Sequence, residues 1–188
     1  IYALLLQDDG TSSAASAAHR GFIDLLLNDG LYRVVLALYG DTAPFGSLPN
    51  IGDSLLLRLS RRALEASDYV VAAEVVTKIE QLPEGMTEWR WQLQVARLKI
   101  FAGQSQAGAD RLLKILEDAD VVEEDELDQL LQVVFDLQAI SRDDLALRVF
   151  EAAGTFARTV RQRRELLFWM GESQIDEGRF VQGADLFL

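Results

Sequence analysis

The sequence predicts an all-α protein built from about five antiparallel helix pairs, and three observations predict it. The first is an echo. "GQSQAGADRLLKIL", from Gly103 to Leu116, and "GRFVQGADLFL", from Gly178 to Leu188, both read Gly, four residues, Gly-Ala-Asp, one residue and an apolar pair. The second is a ladder of small residues, Gly30, Ser67, Gly103, Ser141 and Gly178, spaced 37, 36, 38 and 37 apart. Self-similarity at a fixed period of this size marks stacked supersecondary units. The third is composition: abundant Leu and Ala, 3 prolines and few β-branched runs favour helix.

The elements follow in order. Residues 1–15, opening with "IYALLLQ", read as the end of a preceding helix or a linker. Repeat units then span about 16–50, 51–86, 87–122, 123–158 and 159–188, the last incomplete. Before each turn residue runs a first helix with an apolar face at helical spacing. That face is Phe22, Ile23, Leu26 and Leu27 in unit one, and Leu55, Leu56, Leu59 and Ala63 in unit two. It continues as Val95, Ala96 and Ile100, then Leu130, Val133, Val134 and Leu137, then Leu167, Met170 and Gly171. The small turn residue tolerates left-handed backbone, so one helix stops and the next begins at once. Each second helix carries a small residue where it crosses the first: Ala72, Gly108, Ala146 and Gly183, with Val35 the exception. A larger one follows four on, Tyr39, Val76, Leu112, Phe150 and Phe187, on the same face. The links "DTAPFGSLPN" and "LPEGMT" carry Pro and Gly as breakers.

This pattern resembles the tetratricopeptide repeat family. The last copy carries it best: Leu167, Met170-Gly171, Gly178, Phe180, Gly183 and Phe187 follow the family's large, apolar-Gly, Gly, aromatic, small, aromatic order. Tyr69, Ala72, Val76 and Pro83 carry it in the second unit. The period, about 37, is longer than the family's usual 34, and Lys99 and Gln174 stand where an aromatic is the rule. The resemblance implies a right-handed superhelical solenoid whose first helices line a concave groove. The last unit is also similar to repeats of periplasmic, outer-membrane-associated bacterial proteins, which favours the cell envelope over the cytoplasm. The chain begins at Ile1, not Met, and reads as part of a protein continuing at both ends.

Composition excludes several classes of function. A net charge of −12 argues against a nucleic-acid surface, which needs cations to displace phosphate counterions. The chain has no Cys, which removes disulfides and thiolate metal sites. Its longest apolar stretches fall far short of a membrane span. Arg outnumbers Lys 15 to 3.

Catalytic motifs are weak. His19, the sole histidine, reads as a packing or surface residue. "GQSQAG" lacks the spacing of a hydrolase nucleophile elbow, and Ser105 falls in a helix–turn–helix. "EDADVVEEDELD", residues 117–128, holds eight acids and no base. It lacks the alternating ligands and central Gly of a calcium loop and reads as a solvated link, with Glu123 to Glu126 at a helix N-terminus. Of Trp89 and Trp91, one ring is expected in the core and one partly exposed.

The expected function is therefore that of a non-enzymatic scaffold without cofactor or metal. In the tetratricopeptide register the groove stripe includes Arg20 and Asp24, then Arg58 and Arg61, then Arg90, Gln94 and Arg97, with Trp91 adding an apolar contact. Arginine pairs bidentately with carboxylate, so the partner expected is another protein with an acidic, extended segment. The plain alternative is that these arginines pair with acids on neighbouring helices. Two further readings are a binding module for an anionic polysaccharide in an envelope export system and an accessory superhelix of a larger enzyme or regulator.

Overall fold

A computed structural model describes residues 13–40, 45 and 51–186. Among them are ten helices and no strand: α1 (Ser13–Asn28), α2 (Tyr32–Tyr39), α3 (Asp53–Glu65), α4 (Tyr69–Val76), α5 (Glu88–Phe101), α6 (Ser105–Glu117), α7 (Glu124–Ala139), α8 (Asp143–Gly154), α9 (Val160–Asp176) and α10 (Phe180–Asp185). The chain divides into two compact units, Ile1–Met86 and Thr87–Leu188. Their boundary falls between the second and third predicted repeats. The stretch "IYALLLQ", most of "DTAPFGSLPN" and Phe187 lie outside the described residues.

All five rungs of the predicted ladder adopt left-handed backbone: Gly30 (φ 74°), Ser67 (58°), Gly103 (79°), Ser141 (56°) and Gly178 (76°). Each closes its helix by the same pair of hydrogen bonds. At Gly103 the residue's own N–H donates to Ile100 O (3.1 Å), and the next, Gln104, donates to Lys99 O (2.8 Å). The same two bonds recur at Gly30, Ser67, Ser141 and Gly178. They satisfy carbonyls that a helix end would otherwise leave open, and the second helix starts two residues after the turn residue in every unit.

Caps fix several helix starts. Thr87 Oγ1 accepts from Arg90 N (3.3 Å), and Asp68 Oδ1 from Val71 N (3.4 Å). Thr159 and Gln162 form a capping box on α9. The acids of residues 124–126 fill the first turn of α7, where the helix dipole favours them.

The crossing residues behave as the pattern requires. Val35, Ala72 and Ala146 are fully buried, and so is each larger residue four on that is described: Tyr39, Val76, Leu112 and Phe150. Gly108 and Gly183 sit so close to the partner helix that a Cβ would come within 2.9 Å of the Ala96 and Gly171 carbonyl oxygens respectively. The second unit holds a continuous core from Leu93 on α5 to Leu166 on α9, with Leu112, Leu130, Leu137 and Phe150 among its fully buried members. One register expectation is corrected. On α9 the inward residue is Leu166 (3% exposed), whereas Leu167 is 43% exposed. Leu166 is one position closer to the α7-facing stripe, and two adjacent leucines give the sequence no means of choosing.

Candidate functional site

The predicted stripe is divided by the structure into arginines that are occupied and arginines that are not. In the first unit Arg58 on α3 reaches α1, where its guanidinium pairs with Asp24 and donates to Asn28 Oδ1 (2.9 Å). Arg20 on α1 and Arg61 on α3 are exposed and have no ion pair among the described residues. Arg20 borders a small cleft between α1 and the start of α3, with Asp24, Ser54 and Leu55.

In the second unit Arg97 on α5 turns to Asp136 on α7, with Nε 2.8 Å from Oδ2 and Nη2 donating to Oδ1 at 3.3 Å. Oδ2 is buried, and Nε approaches it off the direction of a hydrogen bond. Burial pushes the Asp136 carboxyl above its ordinary value, while Arg97 pulls it back. Arg90 is exposed and without an ion pair among the described residues, and Gln94 is half-buried. Trp91 is only 7% exposed, so its ring is buried and its place in the partner-facing stripe is corrected. Trp89 is the partly exposed member of the tandem, its indole donating to Glu126 O on α7 (3.2 Å).

The pairing alternative thus describes Arg58 and Arg97, and leaves Arg20, Arg61 and Arg90. It also describes Arg161. This residue bonds Asp128 (2.7 Å) and Glu124 (3.3 Å) across to α7 and Glu165 (3.1 Å) on its own helix. The hydrogen bond to Asp128, then that to Glu124, raises its pKa further above the ordinary arginine value.

One cleft escaped the sequence reading. It opens between α7 and α9, with a volume of about 650 Å³. From α7 come Asp128, Leu131, Gln132 and Phe135; from α9 come Arg161, Arg164, Glu165, Phe168 and Trp169. The Phe135 and Trp169 rings lie 5.0 Å apart, and Phe168, 46% exposed, meets Trp169 edge-on at 5.0 Å. Arg164 is exposed with no ion pair among the described residues. Its spacing of four from Phe168 was a readable signal, masked by Arg161 and Arg163 in the same helical turn.

The remaining polar groups are structural. His19 lies 2.7 Å from the Tyr39 hydroxyl and packs edge-on against Tyr39 and Phe45. Burial pushes the Tyr39 hydroxyl up to about 12. Ser173, fully buried on α9, donates to Asp143 (2.9 Å) and accepts from Gln138 (2.7 Å), joining α7, α8 and α9. Ser105 is the first residue of α6, as a helix–turn–helix requires. Among the described residues no group of three His, Cys, Asp or Glu could hold a metal ion, and no helix is long and apolar enough to cross a membrane.

Fold and surface together define an all-helical protein of repeat-like helix pairs, with unpaired arginines on its first helices. Compared with protein-family models, curated proteins and solved structures, the chain matches none.

Proposed function

We propose that this chain is a non-enzymatic interaction scaffold that binds an acidic, extended protein segment along its first-helix face. The observation carrying the reading is that three arginines of the predicted stripe, Arg20 and Arg61 in the first unit and Arg90 in the second, are exposed and have no ion pair among the described residues. The protein has 30 acidic residues against 18 basic ones. An arginine left unpaired against that acidic background is available to a carboxylate. Stacking as a tetratricopeptide-like, right-handed superhelix would turn these first helices toward one concave surface.

The test is fluorescence anisotropy with labelled acidic, neutral and basic peptides, for the intact protein and for an Arg20→Ala/Arg61→Ala/Arg90→Ala variant. Circular dichroism establishes that both are equally helical. The acidic peptides are expected to bind selectively, less tightly as salt rises. The variant should lose about threefold or more in affinity, at about 0.2–1 kcal/mol for each exposed pair removed. Equal affinities for the two proteins would overturn the assignment.

A further inference from the structure

A second cleft, of about 610 Å³, lies at the end of the α5–α6 hairpin opposite the Gly103 turn. Its apolar wall is Trp89 on α5 with Ile115 and Ala119 from α6 and the residues just after it. Arg111 lines it from α6. Four arginines are half-buried: Arg58, Arg62, Arg111 and Arg142. Three of them have a carboxylate within salt-bridge distance, namely Asp24, Glu65 and Asp144. Arg111 has none among the described residues. Its Nη1 donates to the neutral amide oxygen of Gln92, whose own Nε2 donates to Glu88. Glu88 lines the cleft too, and its other acids have cations of their own, Asp118 with Lys114 of the same lining (3.5 Å) and Asp110 with Arg148 (3.8 Å).

A cation removed from water without an opposing charge is costly. Burial accordingly lowers the Arg111 pKa from its ordinary value, with Glu88 acting the other way. A guanidinium offers five N–H donors in a planar fork suited to a carboxylate. The volume lies within the range of small-ligand clefts.

From this geometry we infer that the α5–α6 cleft is a binding site for an apolar carboxylate. The carboxylate pairs with Arg111, and the hydrocarbon body lies against Trp89 and Ile115. The site is on a different helix face from the arginines proposed above and stands or falls apart from them.

The experiment is an NMR titration of the intact chain, following the Trp89 indole N–H and the Arg111 Nε–H. The probes are phenylacetate and an N-acetylated Gly-Gly-Phe peptide with a free C-terminus, each beside its amide. Saturable shifts of both resonances with at least one free acid, and not with its amide, are the expected result. A response to phenylacetate alone assigns the site to small organic acids, and a response to the peptide assigns it to a chain terminus. Arg111→Gln should weaken binding about tenfold or more, as for a lost charge-assisted pair. Arg111→Lys, which keeps the charge and loses the fork, should weaken it less, and Arg62→Ala should leave it unchanged. Acid and amide binding alike, no response to either acid, or an unchanged affinity in a folded Arg111→Gln protein would overturn the inference.

Discussion

The third and fifth helix pairs turn on glycine and cross on glycine, whereas the second and fourth turn on serine and cross on alanine. The two kinds of glycine answer different demands. At Gly103 and Gly178 nothing lies within 4 Å of where a Cβ would stand, so the constraint is the left-handed φ alone. At Gly108 and Gly183 the backbone is helical and the constraint is space. A Cβ would meet Ile100 Cγ1 at 2.6 Å in one pair and Ile175 Cγ1 at 2.7 Å in the other. In the second pair the crossing instead accommodates Ala72, whose carbonyl accepts from the buried Ser60 hydroxyl (3.0 Å). The echo between residues 103–116 and 178–188 therefore records a shared packing mode. It carries no information about a ligand.

The largest effect that would break this comparison is at the crossing. Gly108→Ala should cost about 1–3 kcal/mol, as overpacking does, because the obstructing Ala96 carbonyl belongs to helix backbone. Ala72→Gly should cost roughly 0.5–1 kcal/mol for a glycine in a helix plus about 0.8 kcal/mol for the buried methyl group, still below the upper end of the Gly108→Ala range. Urea unfolding of both variants checks the order, and a neutral Gly108→Ala would show that the third pair does not need its close approach.

A smaller effect separates occupied from unoccupied arginines. Arg97→Ala should cost about 1 kcal/mol at neutral pH, because it strips a partly buried carboxylate of its cation, while Arg90→Ala should be neutral. The pH dependence gives the sign. Asp136 already holds its proton to higher pH in the folded state than unfolded, and loss of Arg97 raises that value further. Below it the carboxyl is neutral and needs no cation. The Arg97→Ala penalty should therefore shrink as pH falls through the window just above the ordinary aspartate value. A penalty equal at neutral and mildly acidic pH would count against the pair.

The smallest effect is at the turns. Ser67→Gly relieves left-handed strain of about 1–2 kcal/mol against a glycine entropy cost of about 0.5–1 kcal/mol, a net gain of about 0.5–1 kcal/mol. Gly103→Ser should lose a similar amount. Thermal melts of the two variants should move in opposite directions.

Much of the pairing was latent in the period. The bonds from Arg58 to Asp24, Trp89 to Glu126, Arg97 to Asp136 and Arg161 to Glu124 span 34, 37, 39 and 37 residues, about one repeat each. The sequence could name such candidates because units one period apart stack side by side. It could not say that Arg58 and Arg97 would be taken while Arg20, Arg61 and Arg90 stayed open. That choice depends on rotamers of long, flexible side chains. Helical periodicity likewise put Leu167 on the inward face where the structure has Leu166, and did not reveal that Trp91 would be the buried ring.

By itself the sequence determined the helix pairs, their turns and their crossing positions. The turns rest on a positive φ that Gly or Ser supplies, and the crossings on a close approach that Gly or Ala allows in four of the five pairs. Only the tertiary structure decided which charges are neutralised, which rings are covered, and that Arg111 is half-buried with a neutral partner. Those outcomes depend on which side chains from neighbouring helices meet in space, and no single segment of the chain contains both halves of the contact.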